Sequence, residues 1–254
     1  MAPEILVALI TSTAGIVLSV GSVPLNYLIA QRAKRERKQD VMARYHDPLL
    51  WSVHDLRSRI RTILEEGFLS KQVVDPGDPA VSAGDAFMSR YSRRHTLFVV
   101  AQYLGWVEIL RRDVGFLDLG DRQRNRDLIE HLSIIRRVLF AADLDPVLHI
   151  PTGQQSAIGE IMIEAGGSET ANGWRCIGFA TFCARLDTDP VFSQWFDRVV
   201  DGLEAYATGL VPGEERLVEL NHRLTGLIDF LDPDLTRFPT RHQAESTYRP
   251  AVNA

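Results

Sequence analysis

Residues 5–29 read ILVALITSTAGIVLSVGSVPLNYLI, and residues 30–44 continue AQRAKRERKQDVMAR. The first stretch is 25 consecutive positions without a charge. About 20 apolar residues at about 1.5 Å rise each cross the hydrocarbon core of a bilayer, so this one is long enough with room for tilt. Asn26 is its most polar residue and lies near one end, and Pro24 is tolerated in a spanning helix. A cleaved signal peptide would want a basic leader, a shorter apolar core and a small-x-small cleavage site. Here Glu4 precedes the run without Lys or Arg. The reading is an uncleaved anchor; a buried core helix is the alternative. Arg32, Lys34, Arg35, Arg37, Lys38 and Arg44 follow, against Glu36 and Asp40. By the positive-inside rule this leaves the N-terminus outside and the following domain in the cytoplasm, at the inner (plasma) membrane. The basic collar suits an anionic inner leaflet; a solvated continuation of the helix accounts for it equally well.

Within the run, Thr11, Gly15, Ser19, Ser22 and Asn26 recur every three or four residues and form one helical stripe. Small and weakly polar residues let helices approach closely in lipid. With no second span in the chain, the stripe predicts a homo-oligomer or a membrane protein partner.

The remaining chain is acidic, within a total of 254 residues and a formal charge of −5. Residues 45–89 and 138–254 are negative, and residues 90–137 are positive. About 200 residues are enough for one domain with its own core. The acidic balance argues against general nucleic-acid binding. Arginine far outnumbers lysine, which reads as the composition of a high-GC bacterial genome rather than as function. Cys176 and Cys183 stand in GWRCIGFATFCARL, too far apart for a disulfide within one helix and without zinc-like spacing. Their expected role is as small buried apolar residues.

The pattern predicts an all-α protein: an N-terminal single transmembrane helix followed by a cytoplasmic helical bundle of six or seven helices. Four regions follow: an anchor over 1–30, a basic juxtamembrane helix over 31–44, a helical domain over 45–232 and a disordered tail over 233–254. Asp47-Pro48 reads as a cap and first turn, opening a helix that runs to Glu66 before Gly67. Residues 70–85 read as a long loop. Long helices are expected over about 86–117 and 121–142. Thr152 with Gln155 resembles a capping box for a helix to Ala165, ending at Gly166-Gly167. Residues 173–186 suit helix or strand, with context favouring helix. Asp189-Pro190 opens a helix to about Ala207, and a last one runs from Glu214 to Leu231 before Pro233. No alternating run predicts a sheet.

Four constellations could carry chemistry. Arg93-Arg94, Arg111-Arg112 and Arg136-Arg137 are arginine pairs on consecutive long helices. Guanidinium forks grip phosphate and carboxylate at two points, so a convergence would bind an anionic small molecule. Neighbours on a helix diverge by about 100°, however, and ion pairs would explain them without a ligand. Glu108 lies in the apolar stretch HTLFVVAQYLGWVEILRR, where it either carries a functional carboxylate or pairs with Arg111 or Arg112. Glu160 and Glu164, at i and i+4, could hold a cation or form the solvated side of an amphipathic helix. Glu219 and His222 form one E-x-x-H pair, which bundle di-iron proteins use twice; no second copy occurs.

The chain has no phosphate-binding loop, dinucleotide fingerprint, HExxH, nucleophile elbow or EF-hand loop. No cofactor is implied. These observations favour a non-enzymatic, membrane-anchored helical domain acting in protein interaction or self-assembly. A membrane effector or sensor binding an anionic small molecule is the alternative, and a metal-dependent enzyme the second alternative.

Overall fold

The structure is a computed structural model that describes residues 45–69, 81–113, 122–165, 173–211 and 214–238. Among the described residues the protein is all-α apart from one small hairpin. Helix α1 covers 45–66. It is followed by α2 (Ala83–Asp113), α3 (Arg122–Phe140) and α4 (Thr152–Ile161). Strands β1 (Ile163–Ala165) and β2 (Trp174–Cys176) come next, then α5 (Phe179–Thr188), α6 (Pro190–Ser193), α7 (Asp197–Ala207) and α8 (Glu215–Leu231).

Helix α2 is the axis of the domain, packing against α4, β2, α5 and α7. Ser82 starts it: the Asp85 amide donates to Ser82 Oγ (3.1 Å), and that hydroxyl donates to the Asp85 carboxylate (2.7 Å). Ser82 thus acts as the N-cap, satisfying one orphaned backbone amide, and its hydroxyl in turn fixes the Asp85 side chain. The other main layer is α3 on α8. Leu128, Ile135, Val138 and Leu139 of α3 are buried, as are Leu217, Leu220, Leu224, Leu227, Ile228 and Leu231 of α8. Both sets recur at helical spacing, so each helix buries one stripe.

Several expectations are corrected. Asp47 is not a helix cap, because the chain is already helical at Tyr45 and Pro48 sits inside α1. Its carboxylate instead pairs with Arg237 (2.9 Å) and His46 (3.0 Å). Thr152 and Gln155 form no capping box: Pro151 is the cap residue of α4, and Gln155 Nε2 donates to the carbonyls of Ile150 (2.7 Å) and Arg136 (3.1 Å). The expected helix over 152–165 stops at Ile161, and Glu164 lies in β1, opposite Arg175 of an antiparallel pair. Three-residue strands are too short to display the period-two alternation that marks a sheet.

Asp189 does cap a helix, accepting from the amides of Val191 (3.0 Å) and Phe192 (3.1 Å), but that helix breaks after Ser193. The turn at 194–196 lets both Phe192 and Phe196 reach Phe182, with ring centroids 5.6 and 5.3 Å away. Burying two more rings outweighs a continuous helix here. The predicted tail is ordered through Phe238. The Asp232 carboxylate accepts from the amides of Thr236 (2.8 Å), Arg237 (3.0 Å) and Phe238 (2.9 Å), and Phe238 stacks on His54 at 4.1 Å. The 5–29 run, its stripe from Thr11 to Asn26, the 31–44 collar and residues 239–254 lie outside the described residues. Among the described residues no helix is long and apolar enough to cross a membrane.

Candidate functional site

The N-terminal half of α2 forms the floor of a cleft of about 310 Å³. Ala86, Ser89, Arg90, Arg93, Arg94 and Leu97 line it from α2, because spacings of three and four put them on one side of the helix. Leu186 and Asp187 close one wall from the end of α5. Ser193, Phe196, Asp197 and Val200 close the other. The break between α6 and α7 therefore shapes the site as well as the core.

Three guanidinium groups face this cleft in different states. Arg93 donates from Nη1 to Glu204 of α7 (2.9 Å) and from Nη2 to Ser89 (3.2 Å). Arg94 donates to the Asp187 carboxylate, which is about half exposed. Arg94 also faces Cys183; burial pushes that thiol up, with Arg94 opposing the shift. Arg90 is exposed and makes no ion pair among the described residues. The cleft thus carries one uncommitted cation beside a second whose partner is a solvated side chain.

The neighbouring face of α2 carries a different arrangement. His95 stacks on Tyr91 at 5.5 Å and lies edge-on to Phe179 at 5.7 Å. Its Nδ1 accepts from Arg59 of α1, whose guanidinium also covers Phe68 at 4.6 Å. Burial, then the Arg59 charge, holds the His95 pKa below its ordinary value.

The other arginine pairs do not join the cleft. Arg111 lies 18 residues along α2 from Arg93, or about 27 Å at 1.5 Å per residue. Arg111 and Arg112 both pair with Glu108, at 3.4 and 2.8 Å, and Arg112 reaches Glu160 of α4 at 3.7 Å. Glu108 is only 5% exposed, and these charges answer its burial. The group links α2 to α4 beside a close approach of the two helices at Gly159. A Cβ added at Gly159 would lie 2.9 Å from Glu108 Cβ and 2.9 Å from the Leu104 carbonyl oxygen. Arg136 and Arg137 are exposed on α3.

The proposed metal residues are spread over α4, β1 and α8, and the carboxylates among them have ion-pair partners of their own. Glu160 is on the exposed side of α4, and Glu164 pairs with Arg175 at 2.9 Å across the hairpin. Glu219 pairs with Arg223 at 2.7 Å, and His222 is exposed. Among the described residues no group of three or more His, Cys, Asp or Glu side chains is placed to hold a metal ion. Cys176 and Cys183 are both free thiols, in β2 and α5. Burial pushes the Cys176 thiol up to about 12.

Sequence reasoning missed Arg90 as a cleft residue because it stands alone rather than in a pair. It also missed Arg216, which is fully buried at the start of α8. An arginine in the first turn of a helix opposes the helix dipole, and that misfit was the available signal. No family model matches this chain, and neither a curated protein nor a solved structure matches it.

Proposed function

We propose that this protein is a membrane-tethered domain that binds a small anion in the α2 cleft. In this reading residues 5–29 anchor the chain in a bacterial inner membrane, single-pass with the N-terminus outside, and the helical domain is cytoplasmic. The observation that carries it is the meeting of Arg90, Arg93 and Arg94 with Ser89 and Ser193 around one cleft of about 310 Å³. That volume is at the lower end for ligand pockets, which favours a molecule of nucleotide size or smaller. A phosphate or carboxylate takes Arg90 and displaces Asp187 from Arg94. The displacement is inexpensive, because an exposed ion pair is worth only about 0–1 kcal/mol. Ser193, whose hydroxyl makes a long 3.5 Å contact to the Pro190 carbonyl, supplies a neutral donor. Ligand binding then biases association through the Thr11–Asn26 stripe.

The test is thermal unfolding of the full chain against phosphate, pyrophosphate, mononucleotides and cyclic dinucleotides. A bound ligand at about 100 times its dissociation constant stabilises by about 2.7 kcal/mol, a shift of several degrees. The shift should disappear in Arg90→Gln/Arg94→Gln. A flat panel overturns the reading. The anchor has its own test: a C-terminal tag shielded from protease in inverted vesicles would reverse the proposed topology.

A second reading, a ligand-free domain for protein interaction or self-assembly, draws support from Phe87, Met88 and Tyr91. These are exposed large hydrophobic residues at the same end of α2. Gly15→Leu/Ser19→Leu should reduce the mass of the particle in detergent; an unchanged mass would count against assembly through the span.

A further inference from the structure

We infer that the solvent face of α3 is a docking surface for an anionic lipid bilayer. Arg126, Ile129, Ser133, Arg136, Arg137 and Phe140 fall within an arc of about 100° at 3.6 residues per turn and share one side of the helix. All six are exposed. Ile129 is 55% exposed and Phe140 50%, the two largest apolar side chains left open on α3. The helix already has a buried stripe, Leu128, Ile135, Val138 and Leu139, against α8, so the exposed pair belongs to a second surface.

The charges around that pair decide what it fits. Arg126, Arg136 and Arg137 make no ion pair among the described residues. The other charged groups of the helix are used or lie beside the stripe. Arg124 covers Phe230 at 5.8 Å, Asp127 accepts from Gln123 at 2.7 Å, and Glu130 flanks the stripe. An apolar pair set among uncommitted arginines matches the boundary between headgroups and acyl chains. There the rings and methyls enter the acyl region while guanidinium groups meet lipid phosphates. Each arginine near an anionic surface strengthens attachment about fivefold, so three contribute on the order of a hundredfold. A soluble anion would satisfy the arginines but leave Ile129 and Phe140 in water. This surface goes beyond the cleft reading and holds whether or not residues 5–29 span the bilayer.

The experiment uses the full chain with Cys176→Ala, Cys183→Ala and Ser133→Cys, labelled at position 133 with an environment-sensitive dye. It is reconstituted with neutral phosphatidylcholine vesicles and with vesicles containing phosphatidylglycerol. The emission should move to the blue only with phosphatidylglycerol, and high salt should reverse it. Arg126→Gln/Arg136→Gln/Arg137→Gln should weaken the transition on the order of a hundredfold. Ile129→Ser/Phe140→Ser should weaken it independently, with both variants melting like the parent. Equal emission in the two vesicle types overturns the proposal, as does a lipid response unchanged by the triple substitution. Flotation with neutral vesicles reads the anchor separately. A chain that fails to float there but gains the phosphatidylglycerol signal loses the anchor and keeps the α3 surface.

Discussion

Arg216 and the arginines of the α2 cleft are the same side chain put to opposite uses. Arg216 is fully buried. Its Nε donates to the Asp145 carbonyl (2.8 Å), and its two terminal nitrogens donate to the carbonyls of Val138, Ala141 and Leu144. Its own amide donates to the Asp145 carboxylate (2.8 Å). One guanidinium therefore closes the C-terminal end of α3 and ties it to the start of α8. Burial lowers its pKa and the nearby Asp145 carboxylate opposes the shift. In the cleft, Arg94 holds a half-exposed carboxylate and Arg90 holds no ion pair among the described residues. Fixed backbone acceptors make an arginine structural, whereas solvated and exchangeable partners leave it available to a ligand.

Breaking the first region should give the largest effect. Arg216→Ala strands the carbonyls of Val138 and Ala141 and leaves Asp145 without its nearest cation. The expected cost is about 3–5 kcal/mol, enough to unfold much of the population at ordinary stability. Arg216→Lys should recover little of it, because an ammonium cannot reproduce the planar fork. Urea unfolding of the two variants checks this; a lysine variant as stable as the parent would reduce the contact to a point charge.

The α2–α4 contact lies between the two extremes, since its charges are paired but one of them, Glu108, is buried. Gly159→Ala should lower stability by about 1–3 kcal/mol, because the added carbon meets both the Glu108 Cβ and the Leu104 carbonyl at 2.9 Å. Backbone stands on one side of this gap, so side-chain movement alone does not relieve it. An unchanged melting midpoint would show that α4 can slide away from α2.

Much of the helix content was legible because α2, α3 and α8 are long enough for a 3.6-residue period to repeat several times. The pairing of Glu108 with an arginine one turn on was legible for the same reason. What stayed hidden depends on contacts distant in sequence. Nothing near Arg216 announces residues 138–145, and nothing near Phe196 announces Phe182. Gln155 has the spacing of a capping residue, yet the Arg136 carbonyl, 19 positions earlier in the chain, takes its amide. The cleft was half legible: Arg93 and Arg94 stood out as a pair. Arg90 and Asp187 became its members only through the packing of α5 on α2.

His95 offers a smaller perturbation that separates the buried face of α2 from its open one. Its folded-state pKa is lowered by burial and by Arg59, so the unfolded chain takes up the proton first as pH falls. Stability should therefore drop as pH decreases from the ordinary histidine value toward the lowered one, and be unaffected by this group at higher pH. His95→Asn keeps an oxygen where Nδ1 accepts from Arg59 but does not titrate, so its melting midpoint should fall less between pH 7 and pH 5 than the parent's. Parallel midpoints across that range would show that His95 is as easily protonated in the folded protein as in the unfolded one.

Arg90→Gln should change stability least, by no more than about 0.5 kcal/mol, because an exposed side chain without an ion pair contributes little to the folded state. That near-neutrality sharpens the contrast with Arg216. If the cleft binds an anion, the same substitution removes a charge-assisted contact worth about 1.5–3 kcal/mol and weakens binding by roughly 10- to 150-fold. Titrating phosphate or a mononucleotide into the parent and Arg90→Gln, alongside their melting curves without ligand, separates the two quantities. A binding loss without a stability loss assigns Arg90 to the ligand. A stability loss of several kcal/mol would place it with Arg216 among the structural arginines and leave Arg94 as the exchangeable cation of the cleft.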